Sequence, residues 1–159
     1  VTAAGADQCS VNADVFVDGN KVSIIEMGGR TGATCIPELI SIYYGFDFYE
    51  KMLRSALGEP VEFNCTGSQP CMAKLLLSPV EGKITSIDKE GIRTLEEQGV
   101  TVSLDFPVGH KVFAMADGTD RIGHIIACTE EESQLDAWMM QVYRCICVDG
   151  ETLEDIWKR

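Results

Sequence analysis

The sequence predicts an α+β protein whose neighbouring strands pair antiparallel. Three observations lead there. Val11 to Val17 and Val22 to Glu26 are short alternating runs joined by Asp18-Gly19-Asn20, the pattern of a β-hairpin. Two helical patterns then follow one another directly, with no strand between them. Beyond residue 70, short apolar runs are separated mostly by turns, without the regular strand–helix alternation of a parallel sheet.

The elements follow from local chemistry. Gly28, Gly29 and Gly32 break regular structure after the second strand. Pro37 suits a first helical turn, and Gly45 stops that helix. Asp47 caps the next helix, with Glu50 placed for a capping box; Phe48, Met52 and Leu53 are its predicted inner face, and Gly58 follows its end. Residues 60–68 read as loop. Strands are predicted at 71–79, 83–87 and 100–104, with a short helix from Asp88 to Gln98. Val112 to Ala116 and His124 to Cys128 flank Asp117-Gly118-Thr119-Asp120 and read as a second hairpin. Glu130 to Tyr143 is a helix with Leu135, Trp138, Met139 and Val142 as its buried stripe. Cys145 to Val148 is a last strand before a polar tail with one helical turn. Ala3-Ala4-Gly5-Ala6 reads as the tail of a helix.

The 159 residues are 45% hydrophobic, enough for a core of useful size. A net charge of −12 argues against nucleic acid and against an anionic membrane surface. No apolar run approaches the roughly 20 residues of a bilayer span, and there is no signal-peptide pattern. Seven scattered cysteines fit reduced thiols in the cytosol better than a disulfide scaffold. Cys145 and Cys147 are the closest pair, and a metal-binding cysteine protein is the weakest reading.

Asp14 on the first strand and Glu26 on the second can share one face of the hairpin. Two carboxylates and several waters are the usual protein share of a magnesium site. Arg30, beyond Gly28 and Gly29, can clamp a phosphate or carboxylate with paired hydrogen bonds, and the glycines permit close backbone approach. Chemistry alone leaves two readings open, a phosphoryl-transfer corner and a solvated hairpin with a surface salt bridge.

The stretch NADVFVDGNKVSIIEMGGRTGATCIPELISIYYGFDFYEKML resembles the ATP-grasp superfamily, whose hairpin presents an acid, then Glu-x-Asn-x-Arg, then a glycine-rich turn and a helix. Asp14, Glu26 and Arg30 match the two metal-binding acids and the phosphate-binding Arg. AKLLLSPVEGKI and DRIGHIIAC extend the resemblance toward the small C-terminal domain of ligases related to biotin carboxylase, carbamoyl-phosphate synthase and the amino-acid ligases. The resemblance implies the C-terminal half of an ATP-grasp fold at 1–58, an antiparallel sheet with helices, and a small β-rich domain at 59–159. It further implies Mg²⁺ (or Mn²⁺) on Asp14 and Glu26, nucleotide contacts from Gly28, Gly29 and Arg30, and Arg30 as the catalytic residue. The implied parent joins a small-molecule carboxylate to an amine through an acyl-phosphate, using ATP, in the cytoplasm. The chain starts at Val1 without an initiator Met, so a missing N-terminal half of the same enzyme is its expected partner. This chain is expected to be inactive alone, and its exposed apolar surface admits a homodimer. A non-catalytic binding or regulatory module that keeps the ligase fold is the alternative. The sequence departs from the family pattern at Gly28, where Asn is usual, and at Asp14, where Glu is commoner.

His110, His124, Cys35 and Arg121 are further candidate site residues on chemistry alone. A surface or interface histidine, a packing thiol and a hairpin-end Arg are the favoured readings.

Overall fold

The structure is a computed structural model, and it describes Gly5 and residues 9–159. The helix tail expected around Ala3-Ala4-Gly5-Ala6 lies largely outside the described residues. The chain divides into two compact units, Val1–Gln69 and Pro70–Arg159.

In the first unit, β1 (Asn12–Asp18) and β2 (Lys21–Gly28) form an antiparallel ribbon closed by the two-residue turn Gly19-Asn20. Gly19 has φ 57°, the left-handed value such hairpin turns favour. Helix α1 (Ile36–Tyr44) has Pro37 in its first turn and ends at Gly45. Helix α2 (Phe48–Ala56) is capped by Asp47, whose carboxylate accepts from the Glu50 N–H at 3.0 Å. The expected capping box is only half formed, because the Glu50 carboxylate accepts instead from Arg54 Nε at 2.8 Å. The loop after α2 is tied to the end of α1: the N–H groups of Thr66 and Gln69 donate to the carbonyls of Tyr44 and Tyr43, both at 3.1 Å.

This unit buries little. Cys35 and Pro37 are its only buried residues among those described. Leu53, predicted to face inward, is 61% exposed, while Phe48 and Met52 of the same predicted face are half-buried. Phe16, Val22, Ile24 and Ile25 on the ribbon are all at least 61% exposed.

The second unit has a true core. Strand β7 (Arg121–Ala127) lies between β3 (Met72–Leu77) and β5 (Val100–Leu104), antiparallel to both. A second sheet runs β6–β4–β8–β9, from Lys111–Val112, Gly82–Ile87, Ile146–Val148 and Glu151–Thr152. The hairpin predicted from 112–116 and 124–128 does not form. Val112 pairs with Gly82 on β4, and the Asp117 loop folds into a capped 3₁₀ turn at Gly118–Asp120. Strand β7 is buried along nearly its whole length, as suits a strand with a neighbour on each side.

Three helices complete the unit: α3 (Lys89–Glu96), α4 (Glu132–Arg144) and α5 (Leu153–Trp157). Asp88 caps α3 by accepting from the N–H groups of Glu90 and Gly91. Leu135 and Val142 of α4 are fully buried, and Trp138 and Met139 pack against the same core. The sequence pattern missed Tyr143, which is 2% exposed and whose hydroxyl accepts from the Leu77 N–H at 3.0 Å. Burial raises its phenol pKa. The polar tail is more structured than predicted: Leu153 is fully buried, and Glu154 takes two hydrogen bonds from Arg144, at 2.7 and 2.9 Å.

Two outcomes test this packing. Hydrogen bonds from Arg144 and Lys158 pull the Glu154 carboxyl down from 4.5 to about 2. A folded pKa below the unfolded one stabilises fully above the unfolded value and is lost as pH falls through the folded value. Glu154→Gln should therefore lower the melting temperature at pH 7, and its difference from wild type should shrink between about pH 4.5 and 2, read by calorimetry. At Gly123, a Cβ would overlap the Ser103 carbonyl oxygen and lie 3.1 Å from Leu104 Cα. Gly123→Ala should destabilise the chain by roughly 1–3 kcal/mol in urea unfolding.

Candidate functional site

The ribbon's register decides which side chains meet. From the turn the pairs run Asp18 to Lys21, Val17 to Val22, Phe16 to Ser23 and Val15 to Ile24. Continued unbroken, the next pair would be Asp14 with Ile25, leaving Glu26 on the opposite face. Instead the register shifts: Ile25 is an extra residue on β2, and Asp14 pairs with Glu26. Residues directly opposite share a face with Cβ atoms about 4.5–5.5 Å apart. The bulge thus puts both carboxylates on one side of the ribbon. Both residues are exposed, and neither is in an ion pair with another described residue. The surface salt bridge of the alternative reading is not formed among the described residues.

Arg30 sits at the ribbon's end. Its N–H donates to the Gly28 carbonyl at 2.9 Å, and its Nη1 to the Thr31 carbonyl at 2.9 Å. The side chain lies over Gly28, where a Cβ would be 3.7 Å from Arg30 Cγ and 3.9 Å from Nε. Most of the guanidinium fork remains available to an anion. A Cβ on Gly29 would meet nothing within 4 Å, so its backbone is open to a ligand. Gly32 is confined instead: a Cβ there would lie 2.8 Å from Ile36 and 3.0 Å from Asn12 Oδ1.

Between this turn and α1, Thr34 and Cys35 have φ 58° and 64°. Such left-handed residues outside glycine cost of order 1–3 kcal/mol each. Cys35 is 7% exposed, in keeping with the packing role favoured from sequence. Sequence reasoning missed Glu38 in the first turn of α1. Its Oε1 accepts from the Tyr49 hydroxyl at 2.7 Å, which with burial raises the Tyr49 pKa, while its buried Oε2 has no partner. Asn12, opposite Gly28, was also missed. Neither residue carries a motif signal; only the pairing register and the fold of the loop identify them.

The remaining candidates lie in the second unit. His110 stacks on Phe106 with ring centres 3.8 Å apart. His124 sits on β7, and its Nδ1 is buried without a partner. Arg121 donates from Nε to Asp105 at 2.7 Å. Burial and the Asp88 charge raise the Cys145 thiol pKa. Among the described residues no group of three or more His, Cys, Asp or Glu is placed to hold a metal, and no disulfide forms. The cysteine reading therefore has no geometric support. A cavity of about 720 Å³ is lined by Ile87, Ile92, Val102, Leu104 and Phe106.

A carboxylate pair, exposed and uncommitted beside an open glycine, is a hard-oxygen donor set that suits Mg²⁺ with its waters. The Arg30 guanidinium at the ribbon's end would suit a phosphate or carboxylate.

No protein-family model matches the sequence, and no curated protein matches it significantly. Solved structures do match in fold. Phosphoribosylglycinamide synthetase from Anaerococcus prevotii is similar over 92% of this chain, with a TM-score of 0.73 and 24% identity. L-amino acid ligase from Bacillus licheniformis is similar over 89%, with a TM-score of 0.60 and 16% identity. A biotin carboxylase from Campylobacter jejuni is similar over 91%, with a TM-score of 0.60 and 18% identity. This chain spans 38%, 36% and 33% of those three proteins, respectively. Mixed helices and antiparallel sheets, matched to these enzymes over about nine-tenths of its length, give the chain the fold of a part of the ATP-grasp ligases.

Proposed function

We propose that this chain is the metal- and phosphate-binding portion of an ATP-dependent carboxylate–amine ligase. The observation that carries it is the Asp14–Glu26 pair, brought to one face by the Ile25 bulge with Arg30 at the ribbon's end. Asp14 and Glu26 hold Mg²⁺ or Mn²⁺, which when bound neutralises charge on ATP phosphate oxygens. Arg30 donates to the transferred phosphoryl group and to the acyl-phosphate it forms, stabilising charge that develops there. Gly28 and Gly29 let the backbone approach the phosphates. The carboxylate and amine substrates are small molecules, and the remaining ATP-holding part of the fold comes from further polypeptide of the same enzyme. Exposed apolar residues on both strands of the ribbon support such a covering segment. Among the described residues no helix is long and apolar enough to cross a membrane, and a cytoplasmic setting suits seven cysteines without a disulfide.

A second reading, a non-catalytic module that keeps the fold, draws on the glycine at position 28, which offers no side-chain donor. The complete protein separates the two: nucleotide binding without ADP release, under saturating candidate substrates, would favour the module.

In the complete protein, Glu26→Gln should weaken Mn²⁺ binding by more than about tenfold, read by electron paramagnetic resonance, and lower ATP turnover in parallel. Unchanged affinity and turnover would place the metal elsewhere. Exchanging Ile25 and Glu26 (Ile25→Glu with Glu26→Ile) tests the geometry without removing either acid. It should abolish the same Mn²⁺ binding by moving the carboxylate from the rung opposite Asp14 to the unpaired bulge position, while circular dichroism shows the fold retained.

A further inference from the structure

Asn12 stands opposite Gly28, two rungs beyond the pair formed by Asp14 and Glu26. The ribbon is regular across these rungs, since its bulge lies on the turn side of Asp14. Residues two apart in a strand share a face. Asn12, Asp14 and Glu26 are therefore three corners of one patch, and the fourth corner, Gly28, bears no side chain. The space over that glycine is taken by the Arg30 stem. A donor is absent on one strand exactly where the other strand presents a carboxamide.

The Asn12 side chain is directed toward this end of the ribbon, its Oδ1 lying against Gly32. Asn12 is half-buried, and its carboxamide makes no hydrogen bond with another described residue. Partly exposed and without such a bond, that carboxamide can turn to a ligand. A carbonyl oxygen is a hard, neutral donor that magnesium and manganese accept readily. Being uncharged, it adds a ligand without adding a third negative charge beside two carboxylates.

We propose that Asn12 is the third protein oxygen ligand of the divalent ion, supplied across the ribbon from Gly28. This rests on the metal reading of the Asp14–Glu26 pair. The test is Mn²⁺ and Cd²⁺ affinity of the complete protein without nucleotide, by paramagnetic resonance and calorimetry, with circular dichroism as the folding control. Asn12→Ala should weaken Mn²⁺ about tenfold. Asn12→Cys should weaken Mn²⁺ similarly and tighten Cd²⁺, because a thiolate replaces a hard oxygen with a soft sulfur. A purely structural Asn12 would not reverse metal preference. Unchanged Mn²⁺ affinity in Asn12→Ala, or an unchanged Cd²⁺-to-Mn²⁺ ratio in Asn12→Cys, overturns the proposal if Asp14→Asn and Glu26→Gln still weaken Mn²⁺. If those two variants also bind normally, the metal reading itself fails and takes this inference with it.

Discussion

The extra residue at Ile25 governs the chemistry open to the hairpin. A two-stranded ribbon has only two faces, and a shift of one residue exchanges them. The turn at Gly19-Asn20 sets one register, and the bulge replaces it with another before the acids are reached. A classic role of such bulges is to re-aim a side chain beside a site, at the cost of a local break in the ladder. Here the break falls between Val15 and Asp14, so the three rungs beyond it stay regular and can present Asp14, Glu26 and Asn12 together.

The two units differ in how they are held together. The second is organised around β7, with Leu76, Ile125, Leu135 and Leu153 fully buried and Tyr143 hydrogen-bonded to the β3 backbone. Such burial contributes about 25 cal/mol per Å² of apolar surface. The first unit relies on a ribbon ladder, helix caps and loop hydrogen bonds, with two buried residues among those described. Left-handed Thr34 and Cys35 lie in this sparsely packed unit, at the entry to α1. Strain of that kind persists only where surroundings hold it.

Much of this was legible in the residues. The first hairpin followed from turn chemistry between alternating runs, and the helix boundaries from Pro37, Gly45, Asp47 and Asp88, because caps and turns are local interactions. The antiparallel character was equally readable. What failed was long-range pairing. Nothing near Val112 announces that its partner is Gly82, or that β7 is a central strand with β3 and β5 on its sides. The inner face assigned to α2 holds at Phe48 and Met52 but not at Leu53, since periodicity marks an apolar side, not how far it is covered. In the site, Asp14, Glu26 and Arg30 stood out through the family resemblance, because their types and spacing alone also fit a solvated hairpin. Asn12 and Glu38 did not, since their interest comes from a cross-strand neighbour and a buried oxygen.

The distribution of aromatic residues gives the molecule a built-in optical asymmetry. Both tryptophans, Trp138 and Trp157, belong to the second unit, where Trp157 stacks on Tyr143 with ring centres 5.9 Å apart. The first unit holds three of the four tyrosines, Tyr43, Tyr44 and Tyr49, and no tryptophan. Intrinsic tryptophan emission therefore originates wholly in the second unit. A tryptophan introduced on the ribbon would be the first such fluorophore in its own unit, giving the hairpin an optical signal of its own.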